Sequence, residues 1–126
     1  MISDELARSP YISLVTFRRS GAAVPTPVWA ASDGSALYVW TRDDSGKVKR
    51  IRNDGRVTVA PCDARGRTAP DVTVTEGRAR LLDAEGTRTV RKLLARKYGW
   101  RFRLVDGGGA LLRGGKRPHV GIAIRL

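Results

Sequence analysis

Cysteine, histidine and acidic side chains are scarce in this chain, and each scarcity closes off a class of function. Cys62 is the one cysteine in 126 residues, so no intrachain disulfide can form and nothing points to an oxidising compartment. His119 is the one histidine, so a Ser-His-Asp or Cys-His arrangement would rest on that residue alone, and no cluster carries metal-ligand spacing. No GxGxxG or P-loop pattern occurs. Gly107-Gly108-Gly109 lacks the strand before it and the helix after it that a dinucleotide fingerprint needs. Long apolar runs are missing, which argues against a membrane span, and Asp4 and Glu5 stand where a signal peptide would carry positive charge. The expected location is the cytoplasm.

What is abundant is positive charge. Lys and Arg number 24 against 12 Asp and Glu, a net charge of +12 and a pI near 11.2. Such a field attracts polyanions, whether nucleic acid, anionic membrane or a phosphorylated and carboxylated small molecule. Two segments concentrate it. Seven basic residues and no acid lie from Arg88 to Arg103, and six lie from Arg42 to Arg56 among Asp43, Asp44 and Asp54. Residues 1–126 suit a single domain that can fill one core. A large ligand would then need a pocket at a subunit interface.

Patterning predicts a mainly β protein. A short helix is expected from Ser3 to Arg8, then strands over Tyr11 to Arg18 and Ala23 to Ala31, with a turn at Ser20-Gly21. Pro25 and Pro27 lack amide donors at alternate positions, hence on one strand edge, which therefore faces a ligand or a gap in the sheet. Asp33-Gly34 marks a hairpin into a strand over Ala36 to Thr41. A short helix capped by Ser45 and closed by Gly55 follows, with Val48 and Ile51 on its buried side. Further strands are expected over Arg56 to Cys62, Val72 to Leu82, Trp100 to Val105 and Val120 to Leu126. An amphipathic helix capped by Asp83 runs to Tyr98, with Val90, Leu93 and Leu94 on one face. The sum is a six- to seven-stranded antiparallel barrel with helices at its margin. Cys62, at a strand end, reads as a small buried thiol.

The basic stretch from Thr41 to Arg52 carries the most chemistry. It runs from a strand end through a hydroxyl-bearing turn into a helix start. Free amides there, the Ser45 hydroxyl and Lys47 suit a phosphate, and Arg50 and Arg52 could bond the same anion or carboxylates beyond it. A solvated basic helix is the other reading. The helix from Arg88 to Lys97 reads as a solvated face. Trp100 and Phe102 follow it without an RNP-like strand pattern, so a nucleic-acid partner is not expected.

Tyr11 to Phe17 with Val24-Pro25-Thr26-Pro27-Val28-Trp29 resembles the opening hairpin of the pyridoxamine-phosphate-oxidase-like split barrels. Thr41 to Arg52, with Arg56 to Gly66, is similar to the branch that uses the deazaflavin coenzyme F420. Leu93 to Trp100 and Val120 to Leu126 also match, so the resemblance spans roughly Leu6 to Leu126. It implies a split β-barrel and a homodimer with two cofactor sites at the subunit interface. Thr26, Pro27, Val28 and Trp29 would lie along the ring, and Ala60 and Pro61 would line its side. Thr41 and Ser45 would approach the linker and phosphate, Lys47 would bind the phosphate, and Arg50 and Arg52 would stand near the anionic tail. The implied activity is hydride transfer to a small organic substrate, with no catalytic residue assigned. The alternatives are an FMN enzyme of the same fold, an F420 carrier without turnover, and, more remotely, a polyanion-binding barrel. The loop from Gly107 to Gly115 departs from the family pattern.

Overall fold

The computed structural model describes residues 2–102 and 118–126. Its described elements run α1 (Asp4–Arg8), β1 (Tyr11–Phe17), β2 (Ala23–Val28), β3 (Ala30–Ser32), β4 (Leu37–Arg42), α2 (Gly46–Asn53), β5 (Arg56–Cys62), β6 (Thr75–Leu81), α3 (Ala84–Tyr98) and β7 (His119–Arg125). The seven strands form one antiparallel sheet in the order β2-β1-β5-β6-β7-β4-β3, curled into a half-barrel.

Period-two alternation sorts the side chains onto two faces. Ile12 and Leu14, Leu37 and Val39, Val57 and Val59, and Ile122 and Ile124 point inward to one core, and Leu6 and Ile51 join them from α1 and α2. Tyr38 and Trp40, the alternate residues of β4, point outward into a second cluster with Val90, Leu94 and Phe102. Helix α3 covers this outer face. Its apolar residues recur at helical spacing, Asp83 Oδ1 accepts from the Gly86 amide at 2.8 Å, and Gly99 ends it at φ 61°. Its approach depends on Gly121, where a Cβ would stand 2.9 Å from Val90 Cγ2 and 3.2 Å from Thr87 Cα. Tight contact of this kind leaves alanine nowhere to go without moving the helix.

Three expectations need correction. The strand expected over Ala23 to Ala31 is two strands, because the chain turns out of β2 at Trp29. Its indole stacks on Tyr98 with centroids 4.4 Å apart and planes at 8°, so α3 takes the residue that would have continued the ladder. The strand expected from Val72 begins only at Thr75. Residues 100–102 are helical, not extended, with Phe102 buried beside Trp40 at 5.1 Å between centroids. The remainder of that expected strand and the Gly107 to Gly115 loop lie outside the described residues.

Candidate functional site

The register shows where the sheet parts. Strand β4 pairs with β7 from Leu37 to Arg42, but with β3 only from Leu37 to Val39. Strand β2 pairs with β1 from Ala23 to Val28, and no described strand pairs with its other side. Both strands meet at the Trp29 corner. Beyond that corner no described pairing joins β2 to residues 41–42 of β4, and this opening in the sheet is the gap.

Helix α2 leaves the β4 side of this gap and packs against β1 and β6. Three residues separate it from β4, and Val48 and Ile51 anchor it, at 0% and 5% exposure. Burying two such side chains is worth about 1.5–3 kcal/mol each. Arg50 then reaches the other wall: its Nε donates to Thr16 Oγ1 at 2.6 Å. Thr16 is fully buried on β1, opposite Val24 of β2. The same guanidinium folds back over the helix start, where a Cβ on Gly46 would stand 2.8 Å from Arg50 Nη1. Glycine at this position keeps that space for the arginine.

Lys47 lies one turn from Arg50, half-buried beside it. Burial first, and the Arg50 charge second, push its ammonium below its ordinary pKa. Neither cation makes an ion pair with a carboxylate among the described residues. Ser45 occupies the N-cap position expected of it, yet its hydroxyl makes no capping bond. Its Oγ is buried with no hydrogen-bond partner. A buried hydroxyl left unmade costs about 1–3 kcal/mol, and a helix start is already electropositive. Two cations, free helix amides and an unpartnered hydroxyl converge where an anion would satisfy all of them. Two carboxylates nearby in sequence are engaged elsewhere: Asp44 pairs with Arg42 at 2.8 Å, and the C-cap Asp54 pairs with Arg56 at 3.0 Å, while the charge of Asp43 acts on Arg42.

The other expected site residues divide by the pleat. Thr26 and Val28 share the inner face with Leu14 and Ile12, and Thr41 shares it with Val39. Pro27 and Trp29 point outward: Pro27 is exposed, and Trp29 packs in the α3 cluster. Arg52 is exposed in the last turn of α2, two residues and about 200° around the helix from Arg50. Ala60 and Pro61 sit on β5, opposite Ser13 and Ile12, so β1 separates them from the gap. Pro61 instead borders a cavity of about 370 Å³ with Glu5, Cys62, Asp63, Arg67 and Val72. Cys62 there is half-buried, and burial with the Asp63 charge pushes its thiol pKa up, which disfavours a nucleophilic thiolate. The residue that sequence reasoning missed is Thr16. Nothing local marks it, because its role comes from an arginine 34 positions away.

Among the described residues no group of His, Cys, Asp and Glu could hold a metal ion, and no helix is long and apolar enough to cross a membrane. The sequence pattern of the family described as pyridoxamine 5'-phosphate oxidase matches residues 2–118. No curated protein matches the chain in sequence. Solved structures match its fold. An F420 reductase superposes with TM-score 0.65 at 18% identity, over 99% of this chain and 94% of its own. A FAD-binding protein from Mesorhizobium loti gives 0.67 at 17%, over 96% and 82%. The heme storage protein HutZ from Vibrio cholerae gives 0.69 at 9%, over 96% and 83%. These likenesses establish a shared fold across proteins that bind different cofactors.

Proposed function

We propose that this chain, which belongs to the pyridoxamine 5'-phosphate oxidase family, holds the phosphate of a flavin-like cofactor at the start of α2 and serves hydride transfer to a small organic substrate. One observation carries the reading. Lys47 and Arg50 stand together without a carboxylate around the buried, unpartnered Ser45 hydroxyl. Like charges are brought together at a cost, and a bound phosphate anion offsets it. Coenzyme F420 is the first candidate and FMN the second. The net charge of +12 favours the ligand with the longer anionic tail.

When bound, the cofactor supplies the hydride chemistry, and the protein supplies position and field. Lys47, Arg50 and Ser45 fix the phosphate end. Thr26 and Thr41, half-buried on the inner face, mark where the rest of the molecule would extend, while Val28 beside them is packed in the core. Arg52 points away from this cradle and would meet only a tail that leaves the gap. Ala60 and Pro61 lie beyond β1, so we assign them to a site completed by a second copy of the chain. The protein would then be a homodimer.

Titration with F420 and with FMN tests the cofactor. F420 should bind more tightly, and equal or inverted affinities would remove the deazaflavin assignment. Anaerobic incubation with reduced F420 and a panel of electron acceptors separates enzyme from carrier. Oxidation beyond the protein-free rate marks turnover, and none with any acceptor marks a carrier. Sedimentation as a monomer would overturn the shared site.

A further inference from the structure

The open edge of β2 has a hydrogen-bonding polarity that the register makes explicit. The Arg18 amide donates to the Ala22 carbonyl at 2.9 Å at the foot of the β1–β2 hairpin. Antiparallel pairs alternate between bonded and non-bonded. Val24, Thr26 and Val28, opposite Thr16, Leu14 and Ile12, therefore spend their backbone groups on β1. Pro25 and Pro27, opposite Val15 and Ser13, turn theirs outward. Proline has a carbonyl and no N–H. Along this stretch the edge that borders the gap thus offers acceptors only, about 7 Å apart.

The facing wall is different. The Asp43 amide donates to the Pro118 carbonyl at 3.1 Å, which sets the alternation between β4 and β7. Trp40 and Arg42 therefore direct their amide N–H groups away from β7: that of Trp40 faces the Trp29 carbonyl, next after the Ala30–Val39 pair, and that of Arg42 faces the gap. The Arg42 carbonyl is already taken by the Ser45 amide at 3.2 Å.

Two consequences follow. Strand β2 cannot zip onto β4 or onto a second chain through a full ladder, because alternate donors are missing. The prolines keep the gap open. We infer that the carbonyls of Pro25 and Pro27 take hydrogen bonds from a ligand segment rich in hydroxyl donors. Resting on the phosphate reading above, that segment is the polyhydroxylated linker joining the phosphate to the ring. The edge reads the number of O–H donors on the chain and is indifferent to which ring follows.

Ring-free probes test this on the intact protein. Inorganic phosphate, n-pentyl phosphate and ribitol 5-phosphate can be titrated by amide chemical shift. Ribitol 5-phosphate should bind about tenfold more tightly than n-pentyl phosphate, with shifts at Thr26 and Val28, which flank Pro27. Equal affinities for these two, with inorganic phosphate still shifting residues 45–47, would overturn the acceptor edge and leave the phosphate site standing. No shift at residues 45–47 with any of the three would overturn both.

Discussion

Two half-buried lysines in this protein meet opposite fates. Lys97 and Lys47 both have ammonium groups pushed below their ordinary pKa by burial. Lys97 donates to the Ser9 carbonyl at 2.8 Å and the Ala30 carbonyl at 2.6 Å. Beside it, Tyr98 donates to the Pro10 carbonyl at 2.8 Å and accepts from the Ala30 amide at 3.1 Å. Together they pin α3 to the start of β1 and to the β2–β3 corner. Lys47 has no such partners among the described residues, only the neighbouring charge of Arg50. The same residue type is a structural pin where carbonyls surround it, and where they do not it is left for the ligand role proposed above. The difference lies in what the fold places within reach, not in burial.

The strongest test exchanges the roles. Lys47→Ala should weaken binding of the phosphorylated cofactor about 100-fold while leaving the melting temperature unchanged or slightly raised, since a repulsion is relieved. Lys97→Met should do the reverse. It loses two charge-assisted bonds, costs about 2 kcal/mol of stability, and leaves affinity unaltered at temperatures where the protein is folded. Calorimetric melting and cofactor titration on the two variants read this directly. If Lys47→Ala melts lower and binds normally, the comparison is wrong.

Arg50 belongs to both categories, and its removal should show both effects at smaller size. Arg50→Ala orphans the buried Thr16 hydroxyl, for about 1–2 kcal/mol of stability, and takes one cation from the anion cradle, for about a tenfold loss of affinity. Thr16→Val with Arg50 intact isolates the structural part. It should lower stability while changing affinity far less than Arg50→Ala does.

How much of this contrast was legible beforehand depends on how local each cause is. The strands were legible because alternation is a local property, and the Asp33 and Asp83 signals mark turns and caps within four residues of themselves. The break at Trp29 was not. It comes from a stack on Tyr98 that no window of sequence contains. The helical turn at 100–102 was hidden for a similar reason, since Phe102 is drawn into the cluster around Trp40. The start of α2 was legible from Ser45 at its N-cap, and the anion site proposed there rests on Ser45 and Lys47. The alternate prolines foretold an edge facing a gap. That Arg50 joins the site by bonding across to Thr16, while Arg52 turns away, needed the fold.

The pH dependence sharpens the contrast further, because affinity and stability should move in opposite directions at Lys47. Its folded-state pKa is lowered, so the unfolded chain holds the proton more tightly, and stability rises as pH climbs through the folded pKa toward 10.5. Anion binding needs the charged form, so affinity falls over the same interval. Lys47→Arg stays charged and should bind with an affinity several-fold less sensitive to pH as it rises toward 10.5. Parallel falls in both variants would assign the loss to some other group.

The smallest effect is on the structural side. Burial pushes the Tyr98 hydroxyl up to about 12, against the lowering effect of its hydrogen bond with Ala30. An acid whose folded pKa is raised holds its proton while the unfolded chain releases it. Stability is therefore fully present below the ordinary value of 10.0 and is lost as pH rises from there toward about 12. Tyr98→Phe removes this loss, along with the bonds to Pro10 and Ala30. The variant should start about 1 kcal/mol less stable at pH 8 and close part of that difference by pH 11, as read by urea melts at both values. Because α3 is pinned at this corner and the gap opens away from it, the variant's affinity for phosphorylated ligands at pH 8 should match that of the parent. A loss of affinity there would mean that the corner and the mouth of the gap are one mechanical unit, and the separation drawn between the two lysines would have to be abandoned.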